Sequence, residues 1–173
     1  MASTRHTGPT VQKNTSQAKS RDDDFQAWLV GQANALHARQ YHSLDWEALA
    51  EELEDMGAAE KRELRKRLRN LLFHLLKWQY RSGRRTNSWR RTINNERDEI
   101  DDLLKYSPSL VTELELSFEE MYERARRDTS DLLRGAAKAT LPEASPWTLE
   151  TVRDSDFWPD PVPVRRITLL NAS

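Results

Sequence analysis

The sequence contains no cysteine, only five glycines and no long apolar run. Without cysteine there is no disulfide, no thiolate metal ligand and no cysteine nucleophile. A membrane-spanning helix needs roughly 20 consecutive apolar residues, and no stretch of the chain approaches that length. The sequence therefore predicts no membrane partner. It is compatible with a reducing cytoplasm, where we expect the protein to act.

The two ends of the chain differ in composition from its middle. Residues 1–21 carry four basic residues and no acidic one, and they lack the apolar stretch of a secretory signal. We expect a disordered N-terminal tail there, although the absence of acidic residues is also typical of a transit peptide. A helical domain is predicted over 22–160, and residues 161–173 are either a C-terminal tail or a docked extension.

Charge is distributed in blocks, although the formal net charge is only −1. Residues 22–57 contain one basic and nine acidic residues, whereas residues 58–97 contain thirteen basic and three acidic ones. Residues 98–160 are acidic again, with seven basic and sixteen acidic residues. Such segments either attract one another inside a folded bundle or present a basic face outward.

Apolar residues recur with helical spacing along most of the domain. A first helix is predicted over about 24–40, with an aspartate as its N-cap. A long second helix begins after Ser43 or Asp45 and carries an apolar stripe that runs to Trp78 and widens towards that end. Gly57 interrupts this stripe at a cost of only about 1 kcal/mol relative to alanine, so a kinked continuous helix and a break are both open.

Short connections join the remaining predicted helices. Gly83 is suited to a left-handed helix cap, Asn87 or Ser88 starts a third helix, and Ser107 is a candidate N-cap of a fourth. A short helix from Trp147 precedes the proline-rich DFWPDPVPV. Amphipathic helices with short connections pack best as antiparallel bundles. The predicted fold is all-α, an uneven antiparallel helical bundle with one long kinked helix and a short C-terminal helix.

The order of several motifs resembles a known family. DFQAWL, LAEELEDMG, LLFHLLKWQY, SWRRTI and DFWP, in this order, resemble the bacterial family called domain of unknown function 29 over about residues 22–160. The sequence departs from the family pattern at Gln26, where an aromatic residue is common, and in the less basic TINNER. The resemblance implies a small, helical, bacterial and cytoplasmic protein, and it implies no catalytic residue.

A basic turn follows the long helix and is the main candidate for a partner-binding or anion-binding site. Its members are Arg81, Arg84, Arg85, Trp89, Arg90 and Arg91. Helix N-termini favour anions, and tryptophans stack on bases or hold arginines by cation–π contact. The alternative is internal, with these arginines paired to the acidic helices on either side. We favour internal pairing, because a nucleic-acid-binding protein is usually more basic than pI 6.4.

The end of the long helix, just before this turn, contains three candidate buried polar residues: His74, Lys77 and Trp78. His74 is either a core or interface histidine with satisfied ring nitrogens or a catalytic base. No Glu-x-x-His motif of a di-iron bundle occurs in the chain. Along one helix Glu54 and His74 would lie roughly 30 Å apart. We therefore predict no metal site and no cofactor.

These observations rank three functions. The leading hypothesis is a non-enzymatic protein-interaction module with an unidentified protein partner, and homo-oligomers remain open. The alternative is a nucleic-acid-binding accessory protein that uses the basic block 61–91. The third hypothesis is an enzyme that uses His74 and nearby carboxylates.

Overall fold

The computed structural model of the chain describes residues 20–133 and 141–162. These residues contain the helices α1 Phe25–His37, α2 Trp46–Tyr80, α3 Asn87–Tyr106, α4 Leu110–Leu132 and α5 Leu149–Arg153. They contain no strand, so the all-α prediction is confirmed, with its one long helix and short C-terminal helix. Most of the predicted N-terminal tail and the C-terminal VRRITLL lie outside the described residues.

The chain divides into two compact units, residues 1–55 and 56–173. The division falls within α2, which is 35 residues long. This helix passes through Gly57 without a break, so of the two alternatives left open at this glycine the continuous helix is confirmed. Each unit has its own set of stabilising contacts.

In the first unit, polar contacts fix the ends of the helices. The Asp24 carboxylate accepts a hydrogen bond from the Ala27 N–H at 3.0 Å, which confirms an aspartate as the N-cap of α1. The Asp45 carboxylate caps α2 in the same way, accepting from the Ala48 N–H at 3.1 Å. Of the two predicted caps of α2, Asp45 is therefore the correct one. Each cap satisfies a backbone donor that has no partner within its helix.

Two further contacts set the direction of α1 relative to the start of α2. The Gln32 side-chain oxygen accepts a hydrogen bond from the Asp45 N–H at 2.8 Å. Arg21 forms ion pairs with Glu51 at 2.6 Å and with Glu52 at 2.5 Å. A residue earlier in the chain thus meets residues later in α2, so the two segments run in opposite directions as a helical hairpin.

The second unit holds the main hydrophobic core, where the predicted stripe of α2 is widest. Fully buried side chains come from one stretch of α2, namely Leu64, Leu68, Leu71, Leu72, Leu75 and Leu76. They form one cluster with side chains of α3 and α4, which include Ile93, Ile100, Leu114, Met121, Tyr122 and Ala125. Two apolar residues per helical turn on α2 serve two neighbouring helices, as a wide stripe indicates.

Two of the three remaining predicted helix ends, those at Gly83 and Ser107, differ from the structure. Gly83 lies in a 3₁₀ turn, Ser82–Arg84, and does not adopt the left-handed conformation. The start of α3 agrees with the prediction, because the helix begins at Asn87, one of the two predicted residues. Its N-cap is Thr86, whose hydroxyl accepts from the Trp89 N–H at 3.3 Å. Ser107 is not the cap of α4, because this helix begins at Leu110 and Ser109 occupies the cap position. The Ser107 hydroxyl donates to a Glu60 carboxylate oxygen at 3.2 Å.

Candidate functional site

The basic residues on the middle of α2 are engaged by acidic residues of the second unit. Arg65 donates to Glu113 at 2.6 Å, and Arg69 pairs with Asp128 at 2.6 Å. Arg67 pairs with Glu63 at 2.7 Å and approaches Glu96 and Glu99 at 3.5 and 3.6 Å. The internal pairing that the charge blocks predict is present at this part of the basic block.

Arg85, a member of the basic turn, is used structurally. Its Nε donates to the Trp78 carbonyl at 3.0 Å, and its Nη2 donates to the Pro159 carbonyl at 3.3 Å. Its guanidinium also lies 4.6 Å from the centroid of the Trp78 ring. Arg85 therefore joins the end of α2 to the segment after α5, and it is not available as a free anion-binding group.

The other arginines of the turn do not form the predicted internal ion pairs with described residues. Arg90 lies over the ring of Trp158 at 5.2 Å. Within residues 20–133 and 141–162, none of Arg81, Arg84, Arg85, Arg90 and Arg91 forms an ion pair with a carboxylate. The reason lies in α3, whose first acidic residue is Glu96. That carboxylate is already contacted by Arg67 and Asn70.

The tryptophans at the turn already have ring partners. Trp78 is buried, and its ring lies 4.8 Å from that of Trp158. Trp89 is half-buried, and the Lys77 ammonium lies 4.0 Å from its ring centroid. A stacked base would have to displace these contacts. The sequence correctly placed Trp78 among buried residues but did not indicate Trp158 as its partner.

His74 is half-buried beside Phe73, with ring centroids 5.1 Å apart in an edge-to-face arrangement. Burial, with a smaller contribution from the Lys77 charge, lowers the pKa of His74 to about 4. Its Nδ1 is buried and has no hydrogen-bond partner among the described residues. Burial, and next the charge of Arg81, lowers the pKa of Lys77 as well. Both causes disfavour the protonated imidazole, so His74 is neutral at pH 7.

The depressed pKa of His74 predicts a pH-dependent stability. In the unfolded chain His74 is protonated below about pH 6.5, whereas in the folded chain it is protonated only below about pH 4. The contribution of His74 to the free energy of unfolding is therefore fully present above pH 6.5 and is lost as the pH falls towards 4. Allowing for partial exposure, we expect the parent to lose about 1–2 kcal/mol more than His74→Leu between pH 7 and 4.5.

Urea denaturation of both proteins across this pH range measures the difference. The carboxylates and the other histidines are the same in both proteins, so their titration cancels in the comparison. Parallel pH profiles for parent and variant would contradict the assignment of a buried neutral imidazole.

Arg97 is a central polar residue that the sequence did not indicate. It is only 2% exposed. Its guanidinium donates to the backbone carbonyls of Val152 at 2.9 Å, Ser155 at 3.3 Å and Phe157 at 2.7 Å. Burial lowers its pKa, and the nearby Asp154 carboxylate opposes that shift. One side chain thus fixes the course of the chain after α5.

The second unpredicted feature is the apolar surface of the first unit. Phe25, Trp28, Leu29 and Leu36 recur with helical spacing along α1, but only Trp28 of the four is buried. On α2, Trp46 is 57% exposed and Leu53 is 69% exposed. One signal was present in the sequence: α1 contains no Asp, Glu, Lys or Arg. A surface helix normally carries charges on its outer face.

The described part of the chain lacks two further features. None of its helices combines the length and apolar composition that crossing a membrane requires. No three or more of its histidine, aspartate and glutamate side chains are grouped so that they could hold a metal ion.

The chain matches a known protein family. The sequence model of the family described as Domain of unknown function DUF29 matches residues 21–158, close to the range over which the motifs show the resemblance. Comparison with curated proteins and with solved structures finds no match.

Proposed function

From the premise that the chain belongs to the family Domain of unknown function DUF29, we propose that it is a non-enzymatic protein-interaction module. The observation that carries this proposal is the exposed apolar surface of α1 and the start of α2. The resemblance to a bacterial family of small helical proteins supports the cytoplasm as the setting. The second unit then serves as the folded body of the module.

The energetic argument rests on side chains left in water. Full burial of a large apolar side chain contributes about 1.5–3 kcal/mol relative to leaving it exposed. Single exposed apolar residues are common on protein surfaces, whereas contiguous apolar patches mark interaction sites. Phe25, Leu29 and Leu36 are each 39–45% exposed on one uncharged helix. A protein partner that covers them recovers this free energy.

Site-specific photocrosslinking in the cells that naturally make the protein tests the proposal. A benzophenone amino acid at Leu29 or Leu53 is expected to give discrete protein adducts. The same group at Leu116, which is 79% exposed on α4, is the matched control and is expected to give none. Adducts of equal yield at all three positions, or no adduct at Leu29 and Leu53, would contradict an interaction surface on the first unit.

A second candidate function is nucleic-acid binding at the basic turn. The observation that favours it is the pair Arg84 and Arg91, which are exposed and form no ion pair with a described carboxylate. The covered rings of Trp78 and Trp89 count against base stacking as part of such a site. We propose this activity second, as a purely electrostatic attraction to phosphates.

This ranking predicts weak, salt-sensitive DNA binding. A labelled duplex should bind detectably only at low salt, because released counterions drive the association. Arg84→Gln with Arg91→Gln should remove the binding, while Arg124→Gln with Arg127→Gln should retain it, because those arginines pair with Glu120 and Glu123. Tight binding that persists at physiological salt would promote nucleic-acid binding to the leading function.

A further inference from the structure

Five exposed apolar residues of the first unit form two stripes, which we call the hairpin face; the exposed Val30 and Tyr41 lie outside it. It comprises Phe25, Leu29 and Leu36 of α1 with Trp46 and Leu53 of α2. A helix turns by about 100° per residue, so the three α1 side chains fall within about 40° of one another. Trp46 and Leu53 likewise fall within about 20° of each other. Both stripes therefore have the spacing of helical anchor positions.

The buried residues of the hairpin show how the two stripes are related. In α1 the exposed stripe is rotated by about 70° from the buried side formed by Trp28, Gln32 and Ala35. In α2 the exposed stripe is rotated in the same sense, by about 100° from the buried or half-buried side formed by Ala48, Leu49 and Glu52. The two segments run in opposite directions, so equal senses of rotation bring both stripes to one side of the hairpin. Two neighbouring apolar stripes form the groove that a third helix occupies.

The surroundings of the hairpin face are strongly acidic. Residues 22–55 contain nine acidic residues and a single basic one, Arg39. Glu47 and Glu54 are exposed on the same turns of α2 as Trp46 and Leu53. Arg21 is already engaged by Glu51 and Glu52, so it does not neutralise the other carboxylates.

We propose that the hairpin face docks an amphipathic helix of another protein, with an apolar stripe flanked by lysine and arginine. This partner class rests on the proposed function and specifies it. The apolar stripes supply the buried contact, and the surrounding carboxylates select basic flanks and repel acidic ones. A second copy of the chain fits poorly, because it would bring an equally acidic hairpin against the first.

Fluorescence anisotropy with the full chain and synthetic peptides tests the partner class. The probe is a peptide of about 14 residues, which matches α1 at about 1.5 Å per residue, with leucines on one face and lysines elsewhere. One control replaces the lysines by glutamates, and another scrambles the sequence and so destroys the apolar face. The basic amphipathic peptide is expected to bind at physiological salt at least about tenfold more tightly than either control.

Variants assign the binding to the hairpin face. Leu29→Gln with Leu53→Gln should weaken binding at least about tenfold, and Leu116→Gln should leave it unchanged. Both leucines of the double variant are exposed, so the fold is expected to tolerate it. Glu47→Gln with Glu54→Gln should weaken binding less and reduce its dependence on salt, because exposed charges act over a screened distance.

Several results would overturn the proposed partner. They are equal binding of the acidic peptide, no binding of any peptide, and binding that the double leucine variant does not affect. Light scattering that shows a dimer dissociated by the same variant would assign the face to a second copy. Binding that appears only after residues 163–173 are deleted would assign it to the chain itself. Crosslinks from Leu29 and Leu53 to another protein would still support an interaction module, whereas their absence contradicts both proposals.

Discussion

Replacing Arg97 by methionine is expected to lower the free energy of unfolding by about 3–4 kcal/mol. Hydrogen bonds from charged groups contribute about 1.5–3 kcal/mol each, and such contributions are not additive. Methionine keeps much of the packing but leaves the carbonyls of Val152, Ser155 and Phe157 without their donor. It also removes the guanidinium that lies 5.4 Å from the Trp158 ring centroid.

Urea denaturation measures this effect, and Arg153→Met provides the matched control. Arg153 lies in α5, next to Val152 whose carbonyl Arg97 binds, but it pairs with the exposed Asp101 at 2.7 Å. An ion pair of that kind contributes only about 0–1 kcal/mol. Arg97→Lys should also destabilise, because an ammonium cannot reproduce the planar fork that reaches three carbonyls. A loss below about 1 kcal/mol for Arg97→Met would show that the segment after α5 is held by other contacts.

Arg97 shows why part of the structure could not be predicted from the sequence. Arginine is rarely buried, and Arg97 stands in a polar stretch, TINNER, that looks like a solvated helix face. Its acceptors are backbone carbonyls 55 to 60 residues further along the chain. Every residue has a backbone carbonyl, whatever its side chain, so no sequence pattern predicts such a contact. The same holds for Trp158, which was predicted only to follow the last helix.

The hairpin face illustrates a different limit. Helical periodicity correctly identified α1 and its capping aspartate, because both depend on residues close in sequence. It did not determine what covers the apolar stripe, because a stripe awaiting a partner and a stripe in the core have the same spacing. Only the missing charges on α1 distinguish the two cases.

The charge blocks were informative where helices lie side by side. Arg65 and Arg69 are four residues apart on one face of α2 and pair with Glu113 and Asp128 of α4. Arg67 lies on another face and pairs with Glu96 of α3. At the basic turn the same reasoning was wrong. The first acidic residue of α3 is Glu96, and two of the arginines contact other groups: Arg85 a ring and a carbonyl, and Arg90 a ring.

A pair of identical substitutions on α2 tests how burial changes along this helix. Leu71 is fully buried and Leu53 is 69% exposed, although the sequence placed both on one apolar stripe. Leu71→Ala should destabilise by about 3 kcal/mol through lost burial and the cavity that remains. Leu53→Ala should change stability by less than about 0.5 kcal/mol. Leucine and alanine are both good helix formers, so helix propensity contributes little to the difference. Urea denaturation gives both values, and similar losses at the two positions would mean that Leu53 is covered in the isolated protein, which would remove the basis for the hairpin face.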